Sequence, residues 1–161
     1  MRHPGAPGTG TLQHAFDLAG LGALRDAVRG YAHRQRLRQG QVTQLLLVSG
    51  ELAANSITHG GGRGRLTVWR DGPHLYCRVS DDGPGIVDTA AGTRPPEVTA
   101  TQGRGLWMCR QVCADLLITG RADGGTDSGT DGGTTVTAVL DLGRAQPHGS
   151  AARSRSGAPS R

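Results

Sequence analysis

Three short polar segments constrain this chain more than any other feature. They are Glu51-Leu52-Ala53-Ala54-Asn55, Asp81-Asp82-Gly83-Pro84-Gly85 and Gly103-Arg104-Gly105-Leu106. Glu51 and Asn55 lie four residues apart in a helical pattern, so they share one face about a turn apart, and His59 continues the line. Their neighbours Leu52, Ala53, Ala54 and Ile57 make an unpaired polar group costly there. The second segment is an acidic turn with glycines at alternate positions. The third is a glycine turn that opens a helix. Any one of them has a plain reading: a solvated glutamate, a locally bonded asparagine, an ordinary Asp-Gly turn. Read together, they form one nucleotide site.

The chemistry of each residue type fits that reading. A carboxamide oxygen such as that of Asn55 suits Mg²⁺, which takes oxygen ligands and completes its shell with water and substrate phosphates. Glu51 would order or deprotonate an attacking hydroxyl. A carboxylate at Asp81 accepts a hydrogen bond from an exocyclic amine such as that of adenine, and Gly83 and Gly85 let the backbone approach a flat base. Gly103-x-Gly105 precedes Leu106, Trp107, Met108 and Val112, so it presents backbone amides at a helix N-terminus, where phosphate oxygens bind, with Arg104 adding a cation. ATP and Mg²⁺ are the expected cofactors.

What the chain lacks excludes other chemistry. All 18 of its basic side chains are arginine. With no lysine there is no Gly-x-x-x-x-Gly-Lys phosphate loop, no protein-kinase strand lysine and no Schiff-base catalysis. The net charge of +5 owes four arginines to residues 144–161 (Arg144, Arg153, Arg155 and Arg161), leaving the remainder near +1. Such a core is no nucleic-acid surface by charge. Cys77, Cys109 and Cys113 are an odd set without zinc-type spacing and read as reduced, small apolar side chains. No apolar run reaches membrane-spanning length, so no membrane role and a cytoplasmic location are expected.

Periodicity places the motifs. Leu18, Leu21, Leu24, Val28 and Tyr31 predict an amphipathic helix over 18–36, and Gly40 is expected to close the following connection. Residues 41–59 predict a more buried helix, stopped by Gly60-Gly61-Gly62. Residues 64–70 and 74–80 alternate around Asp71-Gly72-Pro73 as a β-hairpin. A lid from Ile86 to Gly103 follows, then a helix over 105–114, a strand over 115–120, a polar loop from Ala122 to Gly133 and a last strand over 134–141. The fold class is α+β: a two-layer sandwich with a mixed, mostly antiparallel sheet and helices on one face. The domain is expected at 11–142, between an N-terminal segment 1–10 and an Arg/Ser/Gly/Pro-rich tail 143–161, both too polar to order themselves.

At this point a family resemblance emerges. Glu51 to Asn55 resembles the N box, Asp81 to Gly85 the G1 box and Gly103 to Leu106 the G2 box of the gyrase/Hsp90/histidine-kinase/MutL (GHKL) ATPases, and Gly132-Gly133-Thr134-Thr135-Val136 resembles their terminal strand. The match runs in order over roughly residues 15–142 and implies a Bergerat-type ATP-binding fold. The length and short lid resemble the small anti-sigma-factor serine kinases and related stand-alone bacterial regulators.

That resemblance implies that Glu51 is the base or water-orienting residue, Asn55 the Mg²⁺ ligand, Asp81 the adenine reader, and Gly83, Gly85, Gly103 and Gly105 the nucleotide-cradling turns. The implied activity is phosphoryl transfer from ATP to a serine on an anti-sigma-factor antagonist. A sigma factor and a second copy of the chain would be further partners. One departure is Pro95-Pro96 in the lid, where many relatives carry more glycines and a phosphate-facing cation. The competing reading is a nucleotide-binding partner-switch module without turnover.

Overall fold

The structure is a computed structural model that describes residues 8, 10–84, 92–93, 104–120 and 133–143. Its elements run β1 (Leu12–Asp17), α1 (Leu21–Arg34), α2 (Gln39–His59), β2 (Arg63–Asp71), β3 (His74–Ser80), α3 (Arg104–Val112), β4 (Asp115–Gly120) and β5 (Thr134–Asp141). The five strands form one sheet in the order β1-β2-β3-β5-β4, antiparallel at each pairing. This is the expected α+β sandwich, except that the sheet is antiparallel throughout the described residues rather than mixed.

Strand periodicity divides the sheet into two faces. Register lines up Leu66, Val79, Val136 and Ile118 across β2, β3, β5 and β4, and likewise Val68, Cys77, Ala138 and Leu116. These rows face the helices and share one core with Leu24 and Val28 of α1, Leu45, Val48 and Leu52 of α2, and Leu106 and Cys109 of α3. The alternate residues Trp69, Tyr76 and Val139 form a separate cluster, in which the Trp69 and Tyr76 rings stack at 5.0 Å and the Arg78 guanidinium lies 4.9 Å from the indole.

Three expectations need correction. No strand is expected before the first helix, yet Leu12–Asp17 pairs along β2 with Phe16 buried. The first helix starts at Leu21 rather than 18, because Asp17 Oδ1 accepts the Gly20 N–H at 2.8 Å and turns the chain, leaving Leu18 exposed. Gly40 lies inside the first turn of α2 rather than in a connection. There the Gln41 carboxamide oxygen accepts the Arg38 N–H at 2.8 Å, satisfying an amide at the helix start. The hairpin, β4 and β5 match the periodic segments closely. Most of the lid and the loop from Ala122 lie outside the described residues.

Candidate functional site

Four elements meet at one end of the sheet. The second half of α2 carries Glu51, Asn55 and Ser56, Asp81 follows β3, α3 begins at Arg104, and β5 begins at Thr134. The chain brings them together through hydrogen bonds and close glycine contacts.

Asp81 is the best-fixed of them. Its backbone N–H donates to the Thr134 carbonyl at 3.0 Å, extending the β3–β5 ladder by one residue. Its Oδ1 accepts the Gly83 N–H at 3.1 Å and the Thr134 N–H at 3.2 Å, while Oδ2 accepts the Ser56 hydroxyl at 3.0 Å. Three donors from three segments thus hold a half-buried carboxylate in one orientation. Oδ2 keeps acceptor capacity beyond the Ser56 bond.

Glycines let the segments approach. A Cβ on Gly60 would sit within the space of the Asp81 carboxyl group, and a Cβ on Gly83 would stand 2.5 Å from the Gly60 backbone. The end of α2 and the Asp81 turn are therefore in backbone contact. A Cβ on Gly105 would collide with Glu51 Oε2, so the Glu51 carboxylate lies against the first turn of α3, where the helix's unpaired amides favour negative charge. Gly92 sits against Leu106 and Trp107, with a Cβ there 2.8 Å from the Leu106 carbonyl carbon.

Asn55, one turn after Glu51 on α2, is half-buried, and its side-chain Nδ2 is buried with no hydrogen-bond partner among the described residues. Such an orphan typically costs about 1–3 kcal/mol. The orphan amide donor would be completed by an anionic oxygen such as that of a phosphate, and the fixed Asp81 by a polar ligand, so the residues fit ATP, with the carboxamide oxygen left for a cation.

The structure thus brings Asp81 and Gly83 against the end of α2 and Glu51 against Gly105, with Asn55 on α2 between the two contacts in sequence and Leu106 buried. Arg104 is exposed at the start of α3, and His59 is exposed in the last turn of α2. Gly85 and Gly103 lie outside the described residues. Ser56, Gly60 and Thr134 join the site without belonging to any of the three motifs. Ser56 had a signal, a small polar residue directly after Asn55 on a buried helix. Gly60 was read only as a helix stop.

Behind the site, the thiols of Cys77, Cys109 and Cys113 are all free. Burial, and then the neighbouring thiol Cys113 and the Glu51 carboxylate, push Cys109 up to about 12. Burial and the Asp115 carboxylate push Cys113 up to about 12, and burial raises Cys77 further. These are protonated, inert core groups at neutral pH.

A sheet flanked on one face by helices, with a carboxylate-centred turn facing a polar helix stripe, defines a class of ATPase domain. The family model described as the histidine kinase-like ATPase domain matches residues 15–140, and the chain belongs to that family. Among solved structures, it is similar to a chain of the SiaB–SiaC complex from Pseudomonas aeruginosa, at 12% identity and a TM-score of 0.57, over 79% of this chain and 88% of that one. It is also similar to the catalytic domain of the histidine kinase ThkA, at 16% identity and a TM-score of 0.50, over 81% and 96% of the two chains. At these identities the likeness is one of fold. None of the curated proteins matches the sequence. Among the described residues, no helix is long and apolar enough to cross a membrane.

Proposed function

We propose that residues 11–142 form an ATP- and Mg²⁺-binding regulatory domain. We further propose that it acts as a cytoplasmic serine kinase of the anti-sigma-factor type, phosphorylating a serine on a protein antagonist. The observation that carries the nucleotide reading is the Asp81 carboxylate, held by Ser56, Gly83 and Thr134 while Oδ2 keeps a lone pair for an exocyclic amine. The family match supports it.

Bound ATP and Mg²⁺ would supply the transferable phosphoryl group and the charge that neutralises it. Asn55 would offer its oxygen to the cation. Glu51, against the first turn of α3, would orient or accept the proton of an incoming hydroxyl. Gly83 and Gly85 would flank the base, and Gly103, Arg104, Gly105 and Leu106 would present the start of α3 to phosphate oxygens. A protein partner is supported by the fold neighbour, which is named for its complex with another protein.

Titration calorimetry with ATP, with and without Mg²⁺, tests the reading. Micromolar, Mg²⁺-dependent binding that disappears in Asp81→Asn supports it. No heat with any nucleotide overturns it. Mg²⁺-independent binding without phosphotransfer would favour the partner-switch module, for which the Pro95-Pro96 lid speaks.

A further inference from the structure

Arg25, Arg29 and His33 follow at four-residue spacing along α1, so they line one helical face. That face borders a groove of about 470 Å³ between α1 and the first half of α2, floored by Val42, Leu46 and Leu47. All three side chains are exposed, and no carboxylate lines the groove among the described residues. Arg25 makes no hydrogen bond or ion pair among the described residues, whereas Arg29 reaches Asp26 at 3.2 Å through a solvent-exposed pair. A solvent-exposed pair of that kind is weak, so a better-placed carboxylate can replace it. Leu47 is half-buried yet belongs to neither apolar cluster.

We propose that this groove docks an acidic amphipathic helix of a protein partner. The partner's apolar side chains at i and i+3 or i+4 sit over Leu46 and Leu47, and its Asp or Glu residues flank them to meet Arg25 and Arg29. The basic row, from Arg25 to His33, spans about 12 Å at 1.5 Å per residue, which matches roughly two turns of a docked helix. Charge complementarity selects an acidic partner. The composition argues against a nucleic-acid occupant, since among the described residues no Phe, Tyr or Trp lines the groove to stack a base. Glu51 follows Leu47 by one turn on the same side of α2, but neither it nor Asn55 or Asp81 lines the groove, so the groove adjoins the nucleotide site without sharing a residue with it.

A display library tests the proposal. Fourteen-residue helical peptides with a fixed leucine stripe and flanking positions drawn from Asp, Glu, Lys, Arg and Ser are selected on the full chain without nucleotide. The expected result is enrichment of Asp and Glu at the flanks. By fluorescence anisotropy, the selected peptide should bind at least tenfold more weakly to the double variant Arg25→Glu/Arg29→Glu. Its affinity should return when the peptide acids are exchanged for lysine, which also shows that the variant is folded. Selection without acid preference, affinity that survives the charge reversal, or loss that the lysine peptide does not repair overturns the proposal. So does binding of a single-stranded oligonucleotide or an anionic phospholipid vesicle that the same variant abolishes. ATP titration of the variant reports the nucleotide site separately, so the two readings fail independently.

Discussion

Ser56 Oγ donates a hydrogen bond of 3.0 Å to Asp81 Oδ2, tying the last turns of α2 to the residue that follows β3. The serine therefore fixes the carboxylate that would read the base. Two consequences separate positioning from contact. Ser56→Ala removes one of three donors and should weaken ATP binding about fivefold, the value of about 1 kcal/mol for one hydrogen bond. Asp81→Asn can keep an oxygen on the Gly83 and Thr134 amides, but it then turns an NH₂ donor toward the adenine amine. Calorimetry should show binding lost in Asp81→Asn while circular dichroism shows the fold retained.

Gly60→Ala should be more damaging than its chemistry suggests. Gly60 sits at φ −104°, a conformation alanine adopts, so any effect is steric. The added methyl enters the space of the Asp81 carboxyl group, which three hydrogen bonds prevent from moving away. The thermal shift produced by ATP should vanish in Gly60→Ala. Gly50→Ala, whose Cβ would meet nothing within 4 Å, should leave that shift intact.

The contrast between Gly60 and Asn55 shows how far the sequence was legible. Asn55 and Glu51 announce themselves because a polar pair at helical spacing is conspicuous among Leu52, Ala53 and Ile57. Gly60 carries no such mark, since a glycine after a helix has the ordinary task of ending it, and only the folded chain shows Asp81 lying against it. The same holds for β1. Leu12 and Phe16 alternate correctly, but His14 stands between them on the inward face, and the strand takes its identity from pairing with β2 at the sheet edge. The long helix, the hairpin and β5 were readable because their apolar periods are sustained. Thr134 was readable as part of β5, not as a donor to Asp81, because that contact joins residues 53 apart in sequence.

The buried thiols set the alkaline limit of stability. In the unfolded chain a thiol titrates near 8.5, whereas Cys109 and Cys113 are pushed up to about 12 in the folded protein and Cys77 is raised as well. A raised folded value means the stabilising contribution is fully present below about 8.5 and is lost as pH climbs toward about 12, because the unfolded state ionises first. Denaturant melts should therefore show stability falling above pH 9, by up to about 1.4 kcal/mol per pH unit for each fully buried thiol. Tyr31, raised by its burial, adds to the same slope. Cys77→Ala/Cys109→Ala should flatten the slope while lowering stability at pH 7 through the space it leaves.

Glu51→Gln separates binding from turnover. The substitution keeps the size of the side chain against Gly105 and removes only its charge and basicity. After burial and the Cys113 thiol, the carboxylate also helps to raise Cys109 on α3. If Glu51 orients or deprotonates the incoming hydroxyl, phosphotransfer from radiolabelled ATP to the protein substrate should fall about 10²–10⁴-fold, the usual share of a general base. The dissociation constant for ATP should change much less, because in the proposed site Asp81 and Asn55, not Glu51, would hold the base and the cation. Equal losses of binding and transfer would instead make Glu51 a structural support for α3. Unchanged transfer would remove it from the chemistry and move the proton to solvent or to the substrate phosphate.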